Sequence, residues 1–226
     1  MKILAVDTSS NACSAALQLS DDITERHVVE PRAHTRILLP MISELLDEGG
    51  ISIRDLDAIV LGNGPGSFIG MRIGASVVQG LCFGAGLPVA PVSSLAAIAM
   101  EAFADYSHNN IVVAQDARMN EIYLAHYRKG ADGLPDVVGE ESITAVGELT
   151  IADTSYAAAG GAWEHYPDLV EANQPNILAQ LPISVPRARH LLPQGLSMIE
   201  AGQAIAPEML TPAYLRMKVA EKPSSN

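Results

Sequence analysis

An α/β protein of two lobes, each grown from a βββαβα unit, is the fold this chain predicts, and three observations predict it. First, Ile3-Leu4-Ala5-Val6-Asp7-Thr8-Ser9 and Val112-Val113-Ala114-Gln115-Asp116-Ala117-Arg118 share one pattern: an apolar strand ending in Asp, a turn, then a second strand. Each opens its half of the chain, as duplication of one supersecondary unit would leave it. A chance likeness of two short strand–Asp turns is the alternative. Second, short apolar runs alternate with helical patterns ended by glycine. Third, the polar stretch Ser107-His108-Asn109-Asn110 separates the halves, which places lobes at 1–106 and 107–226. The 226 residues are enough for two lobes of about 100 each.

Taken in order, Lys2 to Asp7 reads as a buried strand, Ala12 to Leu19 as a second and Ile23 to Val29 as a third, joined as a meander through the turn at Ser20-Asp21-Asp22. Thr35 to Glu48 carries Ile37, Leu38, Met41, Ile42, Leu45 and Leu46 on one face and predicts a helix. Pro40 predicts a kink or a late start there, and Gly49-Gly50 stops it. Leu56 to Leu61 is a strand. The turn Gly62-Asn63-Gly64-Pro65-Gly66 then leads into a long helix from about Ser67 to Gly84. Pro88 to Val92 is a short strand, and Ser93 or Ser94 caps a helix ending near Tyr106. In the second half Ile111 to Gln115 and Glu121 to Tyr127 are strands, with Val137 to Ser142 a candidate third. A helix near Val146 to Leu149, a strand near Ser155 to Ala159 and a last helix from Arg187 to Ala201 follow. Pro207 onward reads as a tail, frayed after Lys222.

Composition narrows the function. Apolar residues make up 48% of the chain but aromatics only 4%, so Ala, Leu, Ile and Val must fill the core. The net charge of −12 suits solubility and basic partner surfaces. No Lys/Arg cluster of the kind that neutralises nucleic-acid phosphates occurs. Cys13 and Cys82 lie in apolar segments and read as reduced, buried thiols of a cytosolic protein. Met1-Lys2 runs straight into a strand, unlike a signal peptide. The nearest approach to a membrane span, residues 73–92, is interrupted by Gly and Pro.

Four features bear on chemistry. Asp7-Thr8-Ser9-Ser10-Asn11 could offer backbone N–H groups and hydroxyls to a phosphate, with Asp7 orienting a hydrated Mg²⁺. Equally, it is a polar turn whose Asp and Thr satisfy backbone donors. Gly62 to Gly74 is glycine-rich but has neither G-x-x-x-x-G-K-[ST] nor G-x-G-x-x-G spacing. The pairs Gly70/Gly74 and Gly80/Gly84 put bare backbone on a helix face, which a partner helix could approach closely at about 1 kcal/mol of helix propensity per glycine. The strand end at Gly160-Gly161 could let a flat ring lie on backbone, or it is only a turn. The six histidines lie at least seven residues apart, so there is no H-x-x-x-H or H-E-x-x-H pair and no metal site is expected. No G-x-S-x-G elbow appears either.

Together these segments resemble the TsaB family of tRNA threonylcarbamoyladenosine biosynthesis. The likeness is carried by the 3–9 strand–turn with Cys13-Ser14-Ala15-Ala16-Leu17, by Arg32-Ala33-His34-Thr35 with Leu39-Pro40, and by Gly64-Pro65-Gly66-Ser67-Phe68-Ile69-Gly70-Met71-Arg72-Ile73-Gly74. Asp116-Ala117-Arg118-Met119-Asn120-Glu121-Ile122-Tyr123 and Pro212-Ala213-Tyr214-Leu215-Arg216 complete it; residues 130–205 match only loosely. The resemblance implies a two-lobed actin-like ATPase fold (ASKHA, RNase H-like). It also implies partnership with TsaD, a related protein that carries the transferase chemistry on a metal held by an H-x-x-x-H pair. Only His34 stands in the comparable region here, and on this resemblance the missing second His argues that the chain is the non-catalytic member. Older descriptions call such proteins M22-type glycoproteases; no protease site is seen.

Two departures stand out: Ile69 where the family commonly has Thr, and Asn120 where it commonly has Gly. Neither strand–Asp turn carries the phosphate-approach glycine of actin-like ATPases, which argues against hydrolysis within this chain. No cofactor is required on this reading, although ATP or ADP with Mg²⁺ at a complex interface stays open, with Asp7, Thr8, Ser9, Asp116, Gly160 and Gly161 as the candidate residues. The family's partner surface corresponds to the first-lobe helices, here Arg32, His34, Leu38, Met41, Ile42 and Leu45 with Phe68, Met71, Arg72, Gly74, Ala75 and Val78. The same surface would make a homodimer when TsaD is absent. The ATPase TsaE is a further candidate partner, and tRNA is reached only through the complex. The rival reading is an actin-like nucleotide hydrolase acting alone.

Overall fold

The computed structural model describes residues 1–152 and 154–215; the tail beyond Lys222, read above as frayed, lies outside them. Five strands form the first sheet: β1 (Lys2–Asp7), β2 (Ala12–Leu19), β3 (Asp22–Val29), β4 (Ala58–Gly62) and β5 (Val89–Val92), in the order β3-β2-β1-β4-β5. β1 pairs antiparallel with β2 and parallel with β4. The second sheet has β6 (Asn110–Arg118), β7 (Glu121–Lys129), β8 (Pro135–Val137), β9 (Ser142–Ala145), β10 (Tyr156–Ala159) and β11 (Ile177–Gln180). Its order is β11-β10-β6-β7-β8, with β9 also on β7. β6 pairs antiparallel with β7 and parallel with β10. Read from the other edge, the second order repeats the first strand for strand, as the two strand–Asp openings predict.

The helices are α1 (His34–Glu48), α2 (Phe68–Ala85), α3 (Ser94–Asp105), α4 (Ala162–His165), α5 (Pro167–Asn173) and α6 (Leu192–Glu200). α1 starts at His34 and runs through Pro40, so the late start expected from Pro40 does not occur; the proline ring is exposed to solvent. Ser67 caps α2 by accepting from the Gly70 N–H, and Gly86 closes it in the left-handed conformation. Ser93, not Ser94, caps α3 by accepting from Leu95 and Ala96. The strand expected over 137–142 is split into β8 and β9, and 146–149 holds only a 3₁₀ turn. α4, α5 and β11 have no counterpart in the sequence reading.

The strands of the two sheets lie on either side of residues 106/107, whereas two of the helices pack across that line. α3 packs on the second sheet: Leu95, Ile98, Ala99, Ala102 and Phe103 share a core with Ile111, Val113 and Ala157. α6 and the turn before it cross back to the first sheet, where Ala188, Leu191 and Leu192 meet Ile3, Ala5 and Val60 of the sheet and Ala97 of α3. α1 and α2 cover the opposite face of the first sheet. α2 has the length and apolarity of a membrane span; in this fold Ala75, Val78 and Cys82 on it belong to the first-lobe core.

Candidate functional site

The first strand–Asp turn is buried at Asp7, Thr8 and Ser9. Asp7 is 1% exposed. Its Oδ1 accepts from the Ser9 N–H and Oγ–H, both at 2.8 Å, and its Oδ2 accepts from Ser94 Oγ at 2.7 Å. Burial pushes its carboxyl up from 3.8 to about 6 against the lowering effect of these bonds. Thr8 donates to the Gly70 carbonyl at 2.8 Å. His34 Nε2 lies 3.1 Å from the carbonyls of Ser10 and Ala12; two acceptors on one ring nitrogen mean that it carries the hydrogen and donates. All of these groups therefore hold the turn together.

The α2 glycines explain how the helix comes so close to this turn. A Cβ on Gly70 would sit 2.0 Å from the Thr8 carbonyl oxygen, and one on Gly74 would sit 2.4 Å from Thr8 Oγ1. The close approach made possible by Gly70 and Gly74 is thus to the protein's own turn and not to a partner helix. Gly80 and Gly84 face open space.

This corrects most of the expected partner residues. Leu38, Met41, Ile42 and Leu45 of α1 are at most 6% exposed. Met71, Ala75 and Val78 of α2 are at most 4% exposed, and Gly74 is buried with them. His34 is buried as well. These side chains form the lobe core because the hydrophobic periodicity that suggested a docking face is the face turned to the sheet. Arg32, Phe68 and Arg72 are exposed. Three further apolar residues of these helices reach the surface and were missed: Ile69 (69%), Phe83 (74%) and Leu39 (52%). Ile69, Arg72, Ser76, Gly80 and Phe83 recur at three- and four-residue spacing, so they lie along one side of α2.

The second strand–Asp turn differs. Asp116 Oδ1 accepts from the Arg118 N–H at 2.8 Å and from Tyr166 Oη at 2.9 Å, and Oδ2 pairs with Arg118 Nη1 at 3.0 Å. Desolvation, then the bond to Asp116, raises the Tyr166 hydroxyl above its usual value. Arg118, Met119 and Asn120 all have positive φ, between 56° and 64°.

Between the two turns lies a cleft of about 1250 Å³, lined among others by Ser9, Ser10, Asn11, Asp116, Gly161 and Glu164. Of the residues expected to hold a nucleotide, Ser9, Asp116 and Gly161 line it, whereas Asp7, Thr8 and Gly160 do not. Asp7 and Thr8 are spent inside the turn. A Cβ on Gly160 (φ +103°) would lie 2.2 Å from the Ala114 carbonyl oxygen, so this glycine serves strand packing. Among the described residues no group of three or more His, Cys, Asp or Glu could hold a metal.

Residues 28–217 match the family described as TsaD, tRNA N6-adenosine threonylcarbamoyltransferase. The chain is 35% identical to the tRNA threonylcarbamoyladenosine biosynthesis protein TsaB of Escherichia coli (strain K12), over 98% of this chain and 97% of the relative. The chain belongs to the TsaB family. The Haemophilus influenzae TsaB is also 35% identical, over 98% of this chain and 96% of the relative. The solved structure of YeaZ from Pseudomonas aeruginosa superposes with a TM-score of 0.88 at 34% identity, covering 95% of this chain and 99% of that one. The two-lobed actin-like fold and a TsaB-type role in tRNA threonylcarbamoyladenosine biosynthesis follow from this membership.

Proposed function

We propose that this chain is a non-catalytic docking subunit that binds a TsaD-family transferase through the exposed side of α2, with α1 alongside, and supports transfer of the threonylcarbamoyl group to tRNA adenosine. The observation that carries this reading is the apolar surface of Ile69, Phe83 and Leu39 on helices of an otherwise acidic protein. Large apolar side chains left in water on helices are open to burial by a partner. The chain's own carboxylates and hydroxyls at both turns are used for internal bonds, which fits a subunit that leaves the chemistry to its partner. With a net charge of −12, tRNA phosphates are better held by that partner. A cytoplasmic setting, a homodimer through the same face, and TsaE as a further partner belong to this reading.

Mixing with the TsaD-family protein should give a 1:1 complex by light scattering. Ile69→Asp and Phe83→Asp should each weaken it at least about tenfold, since anchors lost from an interface centre cost about 1–2 kcal/mol or more, and should leave the melting temperature unchanged. If both variants bind like the parent, the α2 assignment is wrong.

A second reading is a nucleotide bound in the interlobe cleft, favoured by the cleft's size and by Ser9, Asp116 and Gly161 on its wall. Calorimetry with Mg-ATP decides it: absence of heat at millimolar ATP removes it, and binding lost in Asp116→Asn supports it.

A further inference from the structure

The docking reading puts a partner on α2, and the inference below rests on that reading. Arg72 is the sole charged residue of α2. Its guanidinium lies 3.6 Å from the Phe68 ring centroid and 5.7 Å from that of Tyr214, and the two rings are 5.8 Å apart. Its Nε donates to Tyr214 Oη at 3.0 Å. Among the described residues neither Nη has a partner. An exposed arginine ordinarily loses about 2 kcal/mol of rotamer freedom when it is fixed. Here the two rings and the tyrosine hydroxyl have already fixed it, and the unused Nη edge presents the planar fork that a carboxylate matches in a bidentate way.

Tyr214 holds the arginine because its own segment is fastened down. Asn63 Nδ2 donates to the Thr211 carbonyl at 2.9 Å, and the Ala213 N–H donates to the Asn63 carbonyl at 3.0 Å. Gln79 Nε2 reaches the carbonyls of Pro207 at 3.1 Å and Leu210 at 3.2 Å. The next residue, Leu215, packs against the core of the second lobe. Residues 207–215 are therefore a strap from α2 to the second lobe, and the Arg72 stack is its last fastening on α2.

We propose that Arg72 is a preorganised receptor for one carboxylate of the docking protein, and that the strap and the docked partner stabilise each other through it. The occupant is an acidic side chain set in an apolar surface: one cation stands among Phe68, Ile69 and Ile73, and the acidity of the whole chain opposes a polyanion. α2 contains no acidic residue, so two copies meeting helix to helix offer Arg72 no carboxylate from that helix. The coupling is reciprocal: a strap that fixes Arg72 raises partner affinity, so a bound partner must protect the strap by the same factor.

The test uses the full chain with the TsaD-family protein, read by calorimetry and by hydrogen exchange at the Ala213 amide. Arg72→Ala and Arg72→Lys should both weaken binding about tenfold or more, because a lysine keeps the charge but not the fork. Tyr214→Phe, which keeps the ring and drops the hydroxyl, should weaken it several-fold with an unchanged melting temperature. Docking should slow Ala213 exchange in the parent and less so in Arg72→Ala. Binding by Arg72→Lys at the parent's affinity, or Ala213 exchange indifferent to docking, overturns the proposal while leaving the α2 surface intact. So does an effect of these variants on self-association alone. No complex with the parent chain overturns the docking reading itself.

Discussion

The two strand–Asp turns share one sequence pattern and sit in different environments. At the first turn, α2 lies against the loop with Gly70 and Gly74 as its contact points, and Asp7 is enclosed. At the second turn the equivalent place is filled by the short α4 and by Tyr166, whose hydroxyl reaches Asp116 while Arg118 pairs with it from outside. Both carboxylates bond the backbone N–H two residues on, which is the local turn-forming use of Asp. The comparison teaches that both Asp turns keep one local bond, from the N–H two residues on to the carboxylate, for reasons of backbone satisfaction. Whether such a turn can also meet a ligand depends on what packs over it, and in the first lobe a helix does.

The largest effects should come from the glycine contacts. Gly74→Glu or Gly70→Ala forces a Cβ to within 2.4 Å or 2.0 Å of Thr8 atoms. Either should destabilise the chain by at least about 3 kcal/mol, in the range of severe overpacking, or prevent soluble expression. Gly80→Ala on the same helix meets nothing within 4 Å and should stabilise by up to about 1 kcal/mol through helix propensity. Urea unfolding of the three variants measures both signs. If Gly70→Ala and Gly80→Ala shift stability alike, α2 does not pack on the first turn as described.

The next effect is a pH dependence at the first turn. Burial raises the Asp7 carboxyl from 3.8 to about 6, so the folded state holds this proton more tightly than the unfolded chain. Stability from this group is therefore full below pH 3.8 and falls as pH rises through about 6, by about 3 kcal/mol in all. Asp7→Asn should flatten that part of the stability–pH curve. Asp116→Asn, at the more open turn, should leave it in place. Matching curves for Asp7→Asn and the parent between pH 4 and 7 would show that Asp7 is not enclosed.

Much of this was legible in the chain. The duplicated openings foretold two sheets of the same strand order, and the glycine spacing on α2 foretold a close backbone approach. What the spacing could not say is what approaches. Thr8 is 66 residues from Gly74 in the chain, and only the return of β4 beside β1 brings them together. For the same reason Leu38, Met41 and Val78, apolar at helical period, read equally well as core or as interface; burial decided for core. Ile69 and Phe83 lie off that stripe, which is why they are free to serve a partner. The pairing of Arg72 with Tyr214 spans 142 residues, beyond any local pattern. The crossing of α3 and α6 to the other lobe's sheet is likewise a tertiary choice, because an all-apolar helix face does not name the sheet it will cover.

The smallest effect probes the second turn alone. Arg118, Met119 and Asn120 stand at φ of 64°, 56° and 59°, a left-handed run that costs side-chain-bearing residues about 1–2 kcal/mol each, least for Asn. Asn120→Gly removes that strain but adds freedom to the unfolded chain. The two terms oppose each other, so the expected gain is below about 1 kcal/mol, visible as a rise of a few degrees in melting temperature. The comparison is sharpened by making Asn11→Gly at the first turn, where no positive φ occurs at that residue. There only the unfolded-state term remains, and the variant should lose stability. Opposite signs at the two asparagines would show that the duplicated turns have diverged in backbone conformation as well as in burial; equal signs would place the left-handed run at the second turn in error.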